Sequence, residues 1–413
     1  MKRLRAAVVS LASVMALAAP AAAQFPLFQQ PGLPGLLLDP QELEEPRRAP
    51  VTLTPSITFT GEFNDNIFID NDNKVSDFII GFTPGLALSV ERPTYRLAAG
   101  YNFTAEIFTQ ETDQSAAFDR QNFYLESLWR VDPFLTLTLT DAFILSTDTN
   151  LIASEGVATG TDRAYSNGLA LGAAWQFAPL WVLRGDASWT LQRFQDSDLL
   201  DSDVYRVGPT LERRFSPQIT GNVGYEFGYF DIEREPTTTT HTPLVGVTWE
   251  PTRTISLALR AGPSFELKDG GDSRVTPAVH ASYRQRLPFG AIGLGYDRAV
   301  GTASGLGGTT DNQLISGFVD VTTLTRGLVI RFLPRYAIEK TPDSNEIDLN
   351  SFTAALQVTY RLNRWVALIG GYQFFRQRSE STGRSSAGTF LANDADKNRV
   401  FVGVPFGYPI RFD

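Results

Sequence analysis

The chain has 413 residues, a formal net charge of -9 and no cysteine. Without cysteine there is no disulfide framework, no thiolate metal site and no acylated cysteine to act as an anchor, and the negative balance argues against a nucleic-acid partner. Aromatics reach 12% and mean hydropathy is -0.11, the near-neutral average that results when greasy and water-facing positions cancel along one wall.

The first segment is an export signal. Lys2, Arg3 and Arg5 precede an apolar run from Ala6 to Leu17, and Ala21-Ala22-Ala23 supplies a small-residue cleavage site, so residues 1–23 are expected to be a signal peptide removed before Gln24. The apolar run is well short of the roughly 20 residues a membrane-spanning helix needs, and no later stretch fits one. Residues 24–50 are proline-rich, carry Glu42, Glu44 and Glu45, and show no period. They are expected to form a periplasmic N-terminal tail.

From Val51 to Asp413 one unit repeats: a run of alternating apolar and polar residues, closed in turn by a tight connection and a long polar one. In Tyr95-Leu97-Ala99-Tyr101-Phe103-Ala105-Ile107 the odd positions are apolar, while Arg96, Asn102, Thr104 and Glu106 occupy even ones. The same period runs through 255–266 and 351–361. Strict alternation puts one face in an apolar medium and the other in water; a soluble sandwich alternates too, and the export signal favours the membrane. Short connections, most of them marked by proline as at Pro93, Pro133, Pro179, Pro217, Pro251 and Pro288, alternate with longer stretches such as 64–74, 146–163 and 378–397. The expected fold is all-β: a transmembrane antiparallel up-and-down β-barrel over 51–413, with about 18 strands (16 is possible) and both ends on the periplasmic side.

The last segment resembles an assembly signal. Val400, Val402, Val404, Phe406, Tyr408, Ile410 and Phe412 are apolar at even spacing, and Gly407, Tyr408, Ile410 and Phe412 resemble the C-terminal signature read by the outer-membrane assembly machinery. Asp413 departs from it by following the aromatic residue, and Pro405 and Pro409 each remove a ladder donor. An ordinary closing strand is the plainer alternative.

A family resemblance sits at the start of the barrel. Gly61-Glu62-Phe63-Asn64-Asp65-Asn66-Ile67-Phe68, then Ser76-Asp77-Phe78-Ile79-Ile80 and Thr83-Pro84-Gly85-Leu86, resemble the opening of an outer-membrane β-barrel porin family often associated with exopolysaccharide or capsule biosynthesis loci. The resemblance implies an outer-membrane protein that passes a secreted polysaccharide or helps to export it, with polysaccharide export components as partners. Only the motif Asn64, Asp65, Asn66 carries over by residue.

Taking the more polar parity of each strand as the lumen places Arg96, Arg130, Arg184, Arg206, Arg214, Arg260, Arg274, Arg284, Arg286, Arg331, Arg335 and Arg361 inside. Against them stand Glu106, Glu126, Asp186, Glu212, Glu226, Glu266 and Asp320. Arginine rings favour anions, and a barrel of 16–18 strands encloses a water-filled channel unless loops plug it. Acidic sugars or small anions are therefore the expected cargo; charge pairing across neighbouring strands is the competing account. Trp129, Trp175, Trp181, Trp249 and Trp365 lie beside short connections, as an interfacial girdle would, and Trp189 is the exception.

Catalysis finds little support. His241 and His280 are the only histidines, and His280 falls on lumen parity, which denies a lipid-side serine hydrolase its base. Asp65, Asp70, Asp72 and Asp77, and Asp196, Asp198, Asp201 and Asp203, are oxygen-rich but lack calcium-loop spacing. No metal, cofactor or enzymatic activity is expected. Outer-membrane lipid and lipopolysaccharide are the expected surroundings. A porin-like channel is the leading reading, a structural or adhesive barrel that displays its loops the alternative, and a membrane-embedded hydrolase a distant third.

Overall fold

The structure, a computed structural model, describes residues 50–413 apart from 152–156, 162, 272, 304, 323–324, 342–346, 381–393 and 413. The expected signal peptide and nearly all of the tail lie outside the described residues.

Alternation becomes strand after strand. The first nine are β1 (Val51–Asn64), β2 (Asp77–Glu91), β3 (Tyr95–Phe108), β4 (Ala116–Arg130), β5 (Leu135–Ser146), β6 (Ala164–Ala178), β7 (Trp181–Phe194), β8 (Ser202–Arg214) and β9 (Ile219–Ile232). Then follow β10 (Thr238–Thr252), β11 (Ile255–Lys268), β12 (Ser273–Leu287), β13 (Gly290–Thr302), β14 (Thr309–Val321), β15 (Leu328–Lys340), β16 (Asp348–Arg361), β17 (Ala367–Ser379) and β18 (Ala395–Gly407). Each pairs antiparallel with its sequence neighbours, and β1 also pairs with β18. The sheet is thus a closed barrel of 18 antiparallel strands with no free edge, the condition for satisfying every backbone group in a bilayer.

A three-residue strand, β19 (Ile410–Phe412), continues in the lane of β18. Ser56 faces Gly407 and Val51 faces Phe412, so the register resumes unchanged beyond Tyr408-Pro409. Of the two prolines noted in the last segment, Pro405 sits in register opposite Thr58 and only Pro409 interrupts the strand.

Proline also interrupts the wall elsewhere. Between β10 and β11 the pairing runs from His241↔Phe265 directly to Val245↔Ala261, skipping Thr242–Leu244 against Gly262–Ser264, where Pro243 and Pro263 lie. On the next strand Pro277 stands opposite Pro263. A proline nitrogen has no hydrogen to donate, and similar skips lie beside Pro84 between β2 and β3, Pro209 between β8 and β9 and Pro334 between β14 and β15, while β11–β12 keeps its register through Pro263↔Pro277.

The two faces differ as the alternation requires. Phe59 is 50% exposed and Val245 63% exposed on the outside, whereas Thr58, Thr60, Glu62 and Asn64 on the other parity of β1 are buried. The described short connections gather at one end of the barrel and the long ones at the other, which by the rule for bacterial barrels are its periplasmic and extracellular ends.

Candidate functional site

Toward the extracellular end, described residues of several loops pack on one another and on the barrel wall. In loop L3 (147–163), between β5 and β6, Val157 packs with Leu199 of L4 (195–201), Ala303 and Leu306 of L7 (303–308), Ile347 of L8 (341–347) and Leu349 of β16. Ala158 packs with Ile69 of L1 (65–76), Phe375 and Ala395. The carboxamide of Gln377 on β17 accepts from the Ala158 amide at 2.9 Å and donates to its carbonyl at 3.0 Å, a two-point grip of the kind one strand offers another. L4 and L7 are joined by Leu200 N–H donating to the Gly305 carbonyl at 2.8 Å. Loops from different hairpins therefore share small apolar cores, and burial of that surface is what holds them in.

Beneath this cap lies a buried ion network. Asp148 of L3 accepts from Lys397 at 2.8 Å and Arg399 at 3.3 Å, while Arg399 also holds both oxygens of Glu62, at 2.7 and 2.8 Å. Arg120 bridges Glu106 at 2.8 Å and approaches Asp148 at 3.9 Å. Burial alone would raise the Asp148 carboxyl, but Lys397, Arg399 and Arg120 outweigh it and hold the group well below the usual carboxylate range. Of these residues only Glu106 stands out in the sequence reading of the lumen. Glu62, Arg120, Lys397 and Arg399 lie on the water-facing parity of β1, β4 and β18, so the alternation carried the signal; Asp148 lies in a loop without period and carried none.

The motif Asn64-Asp65-Asn66 closes the seam between first and last strands. Asp65 accepts from the Asn398 amide at 2.6 Å and from its side chain at 2.7 Å, and Asn66 donates to the Asp396 carbonyl at 2.9 Å. Asn64 accepts from the Asn66 amide at 3.1 Å, and Asn66 in turn from the Asp70 amide at 3.0 Å. Its contacts are with the wall and with L1.

The other lumen residues divide by pairing. Arg184 pairs with Glu212 at 2.8 Å, Arg206 with Glu226 at 3.9 Å, Arg274 with Glu266 at 2.6 Å and Arg331 with Asp320 at 2.9 Å. Glu126, Arg335 and Arg361 are engaged as well. Arg260 reaches the Thr210 hydroxyl at 3.5 Å, and Arg284 lies over the Phe318 ring at 5.8 Å. Arg96, Arg130, Arg214 and Arg286 form no ion pair among the described residues. All four stand at the periplasmic ends of their strands, on β3, β4, β8 and β12. Pairing thus accounts for many of the lumen arginines, including Arg184 and Arg331 near the same periplasmic end, and leaves this set of four without an ion pair among the described residues.

On the outer wall, Trp129, Trp175, Trp249 and Trp365 are 41–51% exposed beside short connections. Arg213 lies over Trp181 at 5.0 Å and Arg364 over Trp365 at 4.3 Å. Tyr408 lies tilted beside Trp365, with ring centroids 6.3 Å apart; Tyr408, Ile410 and Phe412 are themselves exposed.

Nearer the extracellular end a second arrangement repeats. Tyr101 donates to Gln121 at 2.8 Å, Tyr225 meets His241 at 2.5 Å, Tyr296 donates to Gln313 at 3.2 Å, Tyr336 to Asn350 at 3.4 Å and Tyr372 to Asn398 at 2.6 Å. In every case the partner lies two residues beyond the directly facing position, on the diagonal of the hairpin closed by the external loop. Trp189 takes the same diagonal to Asp203 at 2.9 Å, and Asp141 takes it to Asn167. The exceptional tryptophan therefore belongs to this upper belt, whose tyrosines were legible only one at a time. Among the described residues, β1–β2 and β11–β12 carry no such pair.

The remaining candidates are occupied locally. His280 Nδ1 lies 3.0 Å from Asp297 in the lumen, and neither histidine is hydrogen-bonded to a serine among the described residues. Asp77 accepts from the amides of Phe78, Thr109, Gln110 and Glu111 and from the Thr109 hydroxyl, which fixes the start of the loop after β3. Asp201 and Asp203 face Arg193. Among the described residues no three or more His, Asp or Glu come together as a metal site would require.

A closed barrel with an apolar outer wall and a polar inner one is a protein of the outer membrane. No family model matches the chain, and no curated protein matches it. Solved structures that align with it include OccAB4 of Acinetobacter baumannii, at 12% identity over 89% of this chain and 100% of that one, with a TM-score of 0.43. The outer membrane protein OpdK of Pseudomonas aeruginosa aligns at 12% identity over 86% and 99%, TM-score 0.42, and OpdO of the same organism at 15% over 87% and 97%, TM-score 0.43. At these identities and scores the likeness is too weak to carry function.

Proposed function

We propose that this chain is a porin-like channel whose extracellular mouth is narrowed by its own loops and whose periplasmic mouth selects anions. The observation that carries the proposal is the set Arg96, Arg130, Arg214 and Arg286, placed at the periplasmic ends of their strands without carboxylate partners among the described residues. Guanidinium groups in a ring lower the energy of an entering anion and raise that of a cation. Small anions and acidic sugars are the matching cargo. The resemblance at Asn64-Asp65-Asn66 supports the narrower reading, in which an acidic exopolysaccharide leaves the periplasm by this route with export components beside it.

The tryptophans beside the short connections would mark the periplasmic headgroup level, and the tyrosine diagonals the extracellular one, next to lipopolysaccharide. Tyr408, Ile410 and Phe412, exposed beside Gly407, fit contact with the assembly machinery. Single-channel recordings in asymmetric potassium chloride test the main proposal: the reversal potential takes the sign of chloride selectivity, and a cation-selective pore refutes it. A second reading, a structural barrel that displays loops, is favoured by the shared apolar cores of L1, L3, L4, L7 and L8. It requires that no conductance appear even when L3 is loosened.

A further inference from the structure

Of the four periplasmic arginines without an ion pair among the described residues, two are neighbours. Arg96 on β3 faces Leu128 on β4, and Arg130 stands two residues further along β4, on the diagonal. Diagonal positions of this kind lie about 7–8 Å apart on one face of a sheet. Asp132, in the turn after Arg130, is taken by the amides of Phe134 and Leu135, to which it accepts at 2.7 and 2.9 Å. On the other side of β1 the cations near this end are engaged, Arg331 with Asp320 and Arg361 as well. The β3–β4 side therefore presents two guanidiniums at a fixed spacing, a surface suited to a pair of carboxylates.

The chain itself carries such a pair within reach. The Pro50 carbonyl accepts from the Glu91 amide at 2.9 Å, so the tail joins the wall at the periplasmic end of β1, beside β2. Neighbouring strands lie about 4.8 Å apart, which puts β3 about 10 Å and β4 about 14 Å from β1 across the sheet. Glu44 is six residues before Pro50 and Glu42 eight, and an extended chain spans up to about 3.3–3.6 Å per residue, so both reach either arginine with slack. Residues two apart in an extended chain point the same way about 7 Å apart, close to the spacing of the arginines. The order of charge matches too. From β2 to β4 the lumen parity carries Glu91, Arg96 and Arg130, while the tail, read back from Pro50, carries Arg48 and Arg47, then Glu45, Glu44 and Glu42.

We propose that the acidic stretch of the tail, residues 42–45, docks on Arg96 and Arg130 as a tethered anion that anionic solutes must displace. The inference rests on the reading of this mouth as the anion-selecting end and adds regulation to it. A short tether gives the segment an effective concentration in the millimolar range. Solutes of single charge therefore compete poorly, and polyanions, which engage several guanidiniums at once, compete well.

Because the chain has no native cysteine, one engineered disulfide can trap the docked tail. Thr136 on β5 and Val329 on β15 are each second in their strand, on lumen parity, and four strands from β1 in opposite directions. In the full barrel in proteoliposomes, Pro40→Cys with Thr136→Cys is expected to crosslink several-fold faster than Pro40→Cys with Val329→Cys, read by mass spectrometry of the linked peptides. The preference should vanish in about 1 M salt, where screening acts within ~3 Å. It should vanish also with Arg96→Gln and Arg130→Gln together and, with the wall intact, with Glu42→Gln and Glu44→Gln. Millimolar trigalacturonate should remove it, and acetate of equal total charge should not. Heat-modifiable migration verifies that each variant has closed. Equal rates at the two walls, or a preference that survives the charge replacements or trigalacturonate, overturn the proposal. No readout depends on conductance: a barrel that shows the preference without conducting fails as a channel but not as a docking site, and an anion-selective one with equal rates loses only the docking.

Discussion

The two halves of the lumen solve opposite problems with the same residue types. In the extracellular half, Arg120, Arg399 and Lys397 are buried, and each is matched to Glu62, Glu106 or Asp148. In the periplasmic half, Arg96 and Arg286 are exposed and form no ion pair among the described residues. A charge buried without a partner is too costly to keep, so the upper cations must be structural. Exposed cations carry no such cost and stay available to a passing solute. Burial and pairing, more than residue identity, separate the clamp from the filter.

The strongest way to break this comparison is Asp148→Ala. It leaves Lys397 and Arg399 facing each other with one carboxylate fewer, and losing one member of a buried pair typically costs about 3–5 kcal/mol. L3 should leave the lumen: single-channel conductance rises several-fold and L3 becomes open to protease, while the boiled and unboiled gel mobilities stay distinct. Unchanged conductance would mean that L3 does not obstruct the pore. Next in size is the combined replacement of Arg96, Arg130, Arg214 and Arg286 by glutamine. Conductance is expected to change little and anion preference to fall toward none, read as a reversal potential that moves toward zero; a preserved preference would locate selectivity elsewhere.

Acid sharpens the same contrast. The Asp148 carboxyl sits below its ordinary value in the folded barrel, so its stabilisation is fully present above the unfolded carboxylate pKa of about 4 and is lost as pH falls through the lower folded value. Conductance should therefore be flat from neutral pH down to about 4 and rise only in stronger acid. A rise near pH 6 would point to another group. The smallest effect is expected on the outer wall. Tyr225→Phe removes one hydrogen bond to His241, worth roughly 0.5–1.5 kcal/mol at most, and should lower the temperature of heat modification slightly without altering conductance.

Much of the barrel was legible because alternation is a local signal. Strand count, closure and the parity of Arg184, Arg206 or Glu266 follow from residues two apart, and the short connections announce themselves by proline. The plug was not legible. Val157, Leu199 and Leu306 are distant in sequence and lie in loops without a period, so nothing local indicates that they share a core. Asp148 was hidden for the same reason, and with it the network that Glu62, Lys397 and Arg399 complete. The Tyr–polar diagonals were half visible: Tyr101 and Gln121 each appear in the sequence, but the offset that joins them is set by hairpin register, which depends on loop length and bulges such as the one between Thr104 and Glu106. The Asn64-Asp65-Asn66 motif was noticed for its resemblance, and its place is a bond between the two ends of the strand ring.

That bond bears on biogenesis. Asp65 near the start of the barrel finds its partner in Asn398, near the end, and β19 must align with Val51–Leu53 before the outermost turn of the wall is complete. A polypeptide delivered amino terminus first would thus cross the periplasm with both raw borders of its sheet unmatched. It could not insert piecemeal, and loss of only its final few residues would leave an adhesive ribbon destined for holdase capture and degradation.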